Sequence, residues 1–168
     1  MGSGRTELME TIMGLHPEAA STIFHNGRQI DKLDIRDRIK DGIALIPEDR
    51  QRDGLFLNLS VKKNMTISSL AEFKNFIHIL KAAETKEVNK KITELRVKVN
   101  NADIPISALS GGNQQKVIVG KWLLTMPDLL LMDDPTRGID IGAKSDIFTI
   151  MKDLAKQGVG ILFISSEI

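Results

Sequence analysis

The chain has 168 residues, with 23 lysines and arginines against 22 aspartates and glutamates, so its formal net charge is +1. This length suits one domain with its own hydrophobic core. The balanced charge argues against a nucleic-acid partner, because proteins that bind the phosphate backbone usually have a clustered basic face. The chain has no cysteine, and its longest apolar runs are too short to cross a membrane, which argues against disulfide-stabilised, thiolate-based and membrane-spanning proteins.

The first third of the chain predicts short helices and strands. Apolar residues at helical spacing indicate a helix from Arg5 to Met13, ended by Gly14. The pair Asn26-Gly27 is typical of a β-hairpin turn. The elements predicted next are a helix over 34–41, a strand over 43–46 and a charged loop over 48–53 that Gly54 closes.

The rest of the chain predicts a helical region followed by alternating strands and helices. Residues 61–99 have a helical pattern, with predicted core stripes at Phe73, Phe76, Ile77 and Leu80 and at Val88, Ile92 and Leu95. After a loop at Ile104-Pro105 the predicted elements are a helix after Ser110, a strand over 129–132, a helix over about 143–157 and a strand over 160–164. This order predicts an α/β core with a helical subdomain between about residues 60 and 115.

The segment Leu109-Ser110-Gly111-Gly112-Asn113-Gln114-Gln115-Lys116 opens an amphipathic run. A hydroxyl and backbone N–H groups at the start of a helix can bind a phosphate, because the free amides and the helix dipole both favour an anion. A serine and glycines before a helix are also common as a simple N-cap. Taken alone, this segment is weak evidence of a nucleotide site.

The apolar segment 129–132 is followed directly by Asp133 and Asp134. A short segment with no polar residue predicts a strand buried on both faces of a parallel sheet. Ligands bind at the carboxyl ends of such strands, and a carboxylate there can hold Mg²⁺. The alternative is an acidic pair in an exposed turn.

Together, in this order and followed by Arg137-Gly138-Ile139-Asp140, the two segments resemble the ATP-binding cassette (ABC) ATPase family. When the upstream segment Ile46 to Leu55 is included, the sequence of these motifs is similar to that of the second of two tandem cassettes in bacterial importers of ribose, galactose and xylose. The resemblance implies a P-loop NTPase-like α/β fold with a mostly parallel core sheet and an inserted helical subdomain. Residues 1–168 would then be a partial cassette, incomplete at both ends.

The resemblance also implies a role for each residue of the site. Residues implied to bind nucleotide are Gly2, Ser3, Gly4, Arg5, Thr6, Ser110, Gly111, Gly112, Asn113 and Asp140. Residues implied to be catalytic are Asp134, Glu48 and Ser166, at positions where the family usually has a glutamate, the Q-loop glutamine and the switch histidine. Thr6 and Asp133 are implied to hold Mg²⁺.

The start of the chain has two interpretations. Met1 to Gly4 is either a leader added by cloning or the end of a phosphate-binding loop with Arg5 in place of the usual lysine. We favour the loop, because a predicted helix follows at once and second cassettes of sugar importers have a similar segment. Arginine is larger than lysine and needs a fork of acceptors, so the loop is expected to be degenerate.

The departures at Arg5, Glu48, Asp134 and Ser166 predict that this cassette supplies little chemistry from its own cleft. Asp134 is shorter than glutamate by about 1.5 Å, and a misplacement of about 1 Å can cost roughly a hundredfold in rate. Of the LSGGQ pattern of the family, only the last residue differs, at Asn113. Ser110, Gly111 and Gly112 are therefore implied to complete the ATP site of the first cassette.

The implied cofactors are ATP and Mg²⁺. The implied partners are the first cassette, membrane permease subunits and, indirectly, a periplasmic sugar-binding protein, with no nucleic acid. Such a protein would be cytoplasmic and peripheral on the inner face of the cell membrane. Two rivals are an inert regulatory cassette that docks with ATP without hydrolysis, and a chromosome- or ribosome-associated ATPase, whose usual coiled coils or basic linkers this chain lacks.

Overall fold

A computed structural model describes residues 4–19, 21–74 and 80–166. The helices are α1 (Arg5–Met13), α2 (Ile35–Lys40), α3 (Val61–Thr66), α4 (Lys81–Glu94), α5 (Gly111–Leu123) and α6 (Ile141–Lys156). The strands are β1 (Phe24–His25), β2 (Arg28–Gln29), β3 (Ile43–Ile46), β4 (Leu129–Asp133) and β5 (Gly160–Ile164). A π-helix at Arg50–Gly54 and 3₁₀ turns at Leu70–Phe73 and Ile106–Ala108 complete the elements of these ranges.

The core sheet is parallel, with the order β3-β4-β5. Leu130, Leu131 and Met132 of β4 are fully buried, as expected for a central strand covered on both faces. β1 and β2 form the antiparallel hairpin that Asn26-Gly27 predicts. The parallel α/β core and the positions of its strands are therefore confirmed.

The two faces of the sheet build two apolar clusters, because successive side chains of a strand point to opposite faces. On one face, Ile43 and Leu45 pack with Leu131 against α1. On the other, alternate residues of the same strands pack against α5, α6 and the helical region. Helices on both faces therefore fix the strand ends, where the predicted site lies.

Arg38 anchors α1 to the rest of the fold. Its buried guanidinium donates to the carbonyls of Thr11 and Ile12 at the end of α1, each at 2.7 Å. It also donates to Leu33 O and Asp31 O, both at 3.0 Å. Since the last carbonyls of a helix have no partner inside it, this arrangement satisfies them and fixes the direction of α1.

The helical region is divided rather than continuous over 61–99. α3 ends at Thr66, and a separate 3₁₀ turn at Leu70–Phe73 precedes α4. Ser69 Oγ donates to Thr66 O at 3.4 Å, the kind of side-chain bond by which serine competes with a helix. Phe73, Val88 and Leu95 are buried as predicted, and α3 and α4 both pack on α5. The boundaries of the helical subdomain, at about residues 60 and 115, stay a prediction.

Two expectations for this part of the chain need correction. Leu80, predicted to be core, is 47% exposed, because it lies before the first turn of α4 rather than on a helix face against the core. Phe76 and Ile77 lie outside the described residues. The segment 48–53 is not simply a loop, because residues 50–53 belong to the π-helix. Asp49 caps the start of this helix and accepts hydrogen bonds from Gln51 N and Arg52 N, both at 3.0 Å.

Among the helices described, none combines the length and the apolar character that crossing a membrane requires.

β5 is an edge strand on which Ile161 and Ile164 pack against the core while Leu162 and Phe163 are exposed. Within the described residues it pairs only with β4, and Leu162 and Phe163 are 41% and 47% exposed. An exposed apolar edge strand is a template for pairing with another chain, because its N–H and C=O groups have no partner.

We expect this 168-residue chain to self-associate in isolation, and Leu162→Lys to reduce that association by placing a charge on the edge. Light scattering after size-exclusion chromatography measures the change. Phe24→Lys is the matched control, because Phe24 is 63% exposed but lies in the hairpin, away from this edge. A soluble monomer with cooperative, reversible thermal unfolding would contradict the expectation.

Candidate functional site

A cleft of about 290 Å³ lies where the carboxyl ends of β4 and β5 meet the start of α1. We call it the β4–β5 cleft. Its lining residues are Arg5, Thr6, Glu7, Glu48, Asp133, Asp134, Ile164 and Ser166. The structure thus brings together predicted site residues from four separate segments, at the edge where ligands of parallel sheets bind.

The first turn of α1 lines this cleft with residues 5–7. Gly4 precedes the helix with φ +69°, a left-handed conformation that glycine adopts without a steric cost. No side chain of the described residues caps the helix start, so the first N–H groups of α1 are available to an anion. Gly2 and Ser3 lie outside the described residues.

Asp133 is the last residue of β4, and Asp134 follows it directly. Both carboxylates are buried, at only 4% and 5% exposed. Asp134 has φ +41°, an uncommon conformation that aspartate tolerates better than most residues. Its N–H donates to Ile164 O at 3.0 Å, and Ser166 Oγ donates to its Oδ2. Within the described chain its Oδ1 is buried without a partner, which is costly unless a ligand or water meets it.

Glu48 reaches the cleft from the segment after β3, and its carboxylate accepts a hydrogen bond from Arg137. This contact joins the segments that follow β3 and β4. Nearby, the backbone N–H groups of Arg52 and Gln51 hold the pKa of the Asp49 carboxyl below its usual value, because they stabilise its ionised form. The segment is therefore ordered by its own polar contacts.

The signature segment, Leu109–Lys116, starts α5. Ser110 stands at the N-cap position, and its Oγ accepts a hydrogen bond from Asn113 Nδ2 at 2.9 Å. Asn113 Oδ1 in turn accepts from Lys98 N at 2.8 Å. Both ends of the Asn113 amide are thus used within the chain, which gives this residue a structural role beside the predicted nucleotide contact.

Close packing explains Gly112 in the first turn of α5, whereas the neighbour of Gly111 is the flexible side chain of Arg50. A Cβ added to Gly112 would stand 2.3 Å from the Cβ of Ala143 in α6, and one added to Gly111 would stand 2.8 Å from Nη2 of Arg50. Asp140 caps α6, because its Oδ1 accepts from Ala143 N at 2.9 Å. The predicted nucleotide contacts of these residues stay predictions.

The predicted site residues therefore form two groups. Arg5, Thr6, Glu48, Asp133, Asp134 and Ser166 line the β4–β5 cleft, whereas Ser110, Gly111, Gly112, Asn113 and Asp140 are not among its lining residues. Sequence reasoning gave no role to Glu7, Arg50 or Arg137. Arg50 and Arg137 stand inside the quoted motifs, but only the fold shows that they connect segments 87 to 89 residues apart.

The β4–β5 cleft offers ligands suited to Mg²⁺ bound with a nucleotide. Thr6 supplies a hydroxyl and Asp133 a buried carboxylate, and oxygen ligands with substrate phosphates are what Mg²⁺ usually takes. Among the described residues, no group of three or more histidine, cysteine, aspartate and glutamate side chains could hold a metal by itself. Such a donor set suits an ion that arrives with phosphate.

Curated relatives extend the similarity over the whole chain. The "Ribose import ATP-binding protein RbsA" of Geobacillus kaustophilus is 44% identical over 168 residues, which are 100% of this chain and 34% of the relative. The "Galactose/methyl galactoside import ATP-binding protein MglA" is 46% identical in Fusobacterium nucleatum and 42% in Escherichia coli, with 99% of this chain covered in both. The chain spans about a third of these relatives.

Solved structures share the fold. A dimeric ATP-binding cassette bound to ADP and Pi has a TM-score of 0.79 at 17% identity, over 98% of this chain and 71% of that one. A nucleotide-free cassette from an ABC transporter has a TM-score of 0.80 at 23% identity, over 98% and 67%. The family profile described as "ABC transporter" matches residues 1–137. With the fold, the cleft and this match in agreement, the chain belongs to the ABC transporter family.

Proposed function

We propose that this chain is the second cassette of a two-cassette ATPase that energises import of a simple sugar. The 44% and 46% identical relatives, named as ribose and galactose import proteins, support the class of cargo. The signature and flanking segments support the assignment to the second cassette. The observation that carries the proposal is the similarity of the whole chain to these import proteins. The signature segment is not among the lining residues of the β4–β5 cleft, which fits an ATP site completed between two cassettes.

In this proposal the signature segment completes the ATP site of the first cassette. The exposed Ser110 hydroxyl and the first N–H groups of α5 are donors at a helix start, where they can stabilise charge that develops on a γ-phosphate. Asn113 fixes the Ser110 hydroxyl, and Asp140 fixes the start of α6 beside it. The contribution of this chain is electrostatic positioning.

The β4–β5 cleft is proposed to bind ATP and Mg²⁺ with little hydrolysis. Thr6 and Asp133 would hold Mg²⁺, which neutralises phosphate charge when bound. Glu48 accepts a hydrogen bond from Arg137, and Oδ2 of Asp134 accepts one from Ser166. Oδ1 of Asp134 has no partner among the described residues and is the oxygen that a water could meet, but the short side chain at this position is expected to orient that water poorly. Arg5 supplies positive charge at the start of α1.

The proposed partners are the first cassette, the permease subunits and, through the permease, a periplasmic sugar-binding protein. The protein would be peripheral on the cytoplasmic face of the cell membrane. The alternative function is an inert regulatory cassette that docks with ATP without hydrolysis. The departures at Arg5, Asp134 and Ser166, where the family usually has lysine, glutamate and histidine, favour this alternative for the β4–β5 cleft alone.

Reconstitution tests the proposal. The two-cassette protein is placed in vesicles with its permease and sugar-binding protein, and ATP-dependent uptake of radiolabelled ribose, galactose and xylose is measured, with ATP-free vesicles as the control. Uptake of one of these sugars, coupled to ATP turnover, is the expected result. ATP turnover that none of the sugars stimulates, with no uptake, would contradict a sugar importer.

Asp134→Glu tests whether the missing glutamate at this position is all that keeps the β4–β5 cleft from hydrolysing ATP. A working general base contributes about 10²–10⁴-fold, but we expect a rise of less than about tenfold, because Arg5 and Ser166 still leave the cleft incomplete. The longer side chain must also adopt φ +41° in a buried position.

ATP turnover is measured in the two-cassette protein carrying Ser110→Arg, which silences the other composite site. Asp134→Asn is the matched control, since asparagine also tolerates this backbone conformation but carries no charge. A rise of about a hundredfold would show that Asp134 alone limits the cleft.

A further inference from the structure

Three segments that are distant in the sequence meet at the guanidinium of Arg50. Its Nη1 donates to Arg137 O at 2.7 Å, and its Nη2 donates to Gly138 O at 3.2 Å. Gly111, the first residue of α5, lies against the same group, because a Cβ there would stand 2.8 Å from Nη2. Arg50 therefore contacts both the start of the signature helix and the segment that leads into α6.

A second contact joins Arg137 to the segment that contains Arg50, with Arg137 now as the donor. The side chain of Arg137 donates to Glu48, while the backbone of Arg137 accepts from Arg50. Glu48 lines the β4–β5 cleft. Polar contacts therefore lead from the cleft of this chain through Arg137 to Arg50, whose guanidinium packs against Gly111 at the start of α5.

The far end of the π-helix is also attached to α5. Lys121 Nζ donates to Gly54 O at 2.8 Å, and a Cβ added to Gly54 would stand 2.8 Å from Cδ1 of Ile118. Burial lowers the pKa of Lys121 to about 8, so its ammonium is mostly protonated at neutral pH. With Arg50 at one end and Lys121 at the other, the segment 50–54 is held along α5.

We infer that Arg50 is a positioning residue, which holds Gly111 and the segment 137–138 in the geometry that the composite ATP site requires. The inference rests on the proposed function, in which the start of α5 faces the nucleotide of the first cassette. A planar guanidinium can reach two carbonyls at once, whereas the ammonium of lysine is a single point of charge. The fork therefore holds the carbonyls of Arg137 and Gly138 together, and the same planar group packs against Gly111.

The test compares three variants of the two-cassette protein, reconstituted with its permease. Arg50→Ala is expected to lower kcat for ATP about tenfold to a hundredfold, with an unchanged KM for ATP, since Arg50 acts through the start of α5 and is not proposed to touch the nucleotide. Arg50→Lys is expected to restore part of the lost kcat. Arg52→Ala is the matched control with wild-type kcat, because the Arg52 side chain is exposed and its hydrogen bonds within the described residues go to the neighbouring Asp53.

A wild-type kcat in Arg50→Ala, with Ser110→Arg inactive, would overturn this inference and leave the proposed function intact. If Ser110→Arg were also active, the proposed function itself would fail. Should Arg50→Ala not fold, Arg50→Lys decides: a reduced kcat at unchanged KM and melting temperature supports the positioning role, and a wild-type kcat refutes it.

Discussion

Ser110→Arg in the two-cassette protein is expected to lower ATP turnover about a hundredfold or more, the range seen when one preorganised donor is lost. Ser110 is exposed at the start of α5, and its hydroxyl is oriented by Asn113. A bulky side chain there blocks access to the first N–H groups of the helix. Arg5→Ala is expected to change turnover little, because Arg5 lines the β4–β5 cleft, to which the proposed function assigns little hydrolysis.

Steady-state phosphate release measures both variants at saturating ATP. Ser107→Arg is the matched control, because Ser107 is also an exposed serine three residues upstream but lies in a 3₁₀ turn and not at the start of α5. Equal losses in Ser110→Arg and Arg5→Ala would contradict the asymmetric assignment. Equal losses in Ser110→Arg and Ser107→Arg would point to general damage instead.

The parts of the site that follow strand and helix ends could be predicted from the sequence. The apolar segment 129–132 must be a buried strand, so Asp133 and Asp134 had to stand at its carboxyl end. The helix from Arg5 also follows from its apolar spacing. Residues placed by the direction of a strand or helix are therefore predictable before the fold is known.

The contacts between loops could not be predicted, because they depend on distances that only the packed sheet sets. The pairing of Glu48 with Arg137 joins two segments whose charges are obvious in the sequence but whose proximity is not. The π-helix at Arg50–Gly54 is stabilised by Asp49 and Lys121, a combination without a sequence pattern of its own. The left-handed conformation of Asp134 is likewise invisible in a segment that contains no glycine.

Purified as an isolated 168-residue chain, this cassette is expected to show no ATP turnover above background. The signature residues and the residues of the β4–β5 cleft do not line one common cleft, so no part of the described chain can present both to the same phosphate. Hydrolysis needs developing charge to be met by preorganised donors, and in the proposed function these come from a second cassette. Mg²⁺-dependent phosphate release is measured over a range of chain concentrations, with Asp133→Ala as the control for contaminating ATPases. Release that is robust in the monomer and abolished by Asp133→Ala would mean that the β4–β5 cleft hydrolyses ATP without a partner.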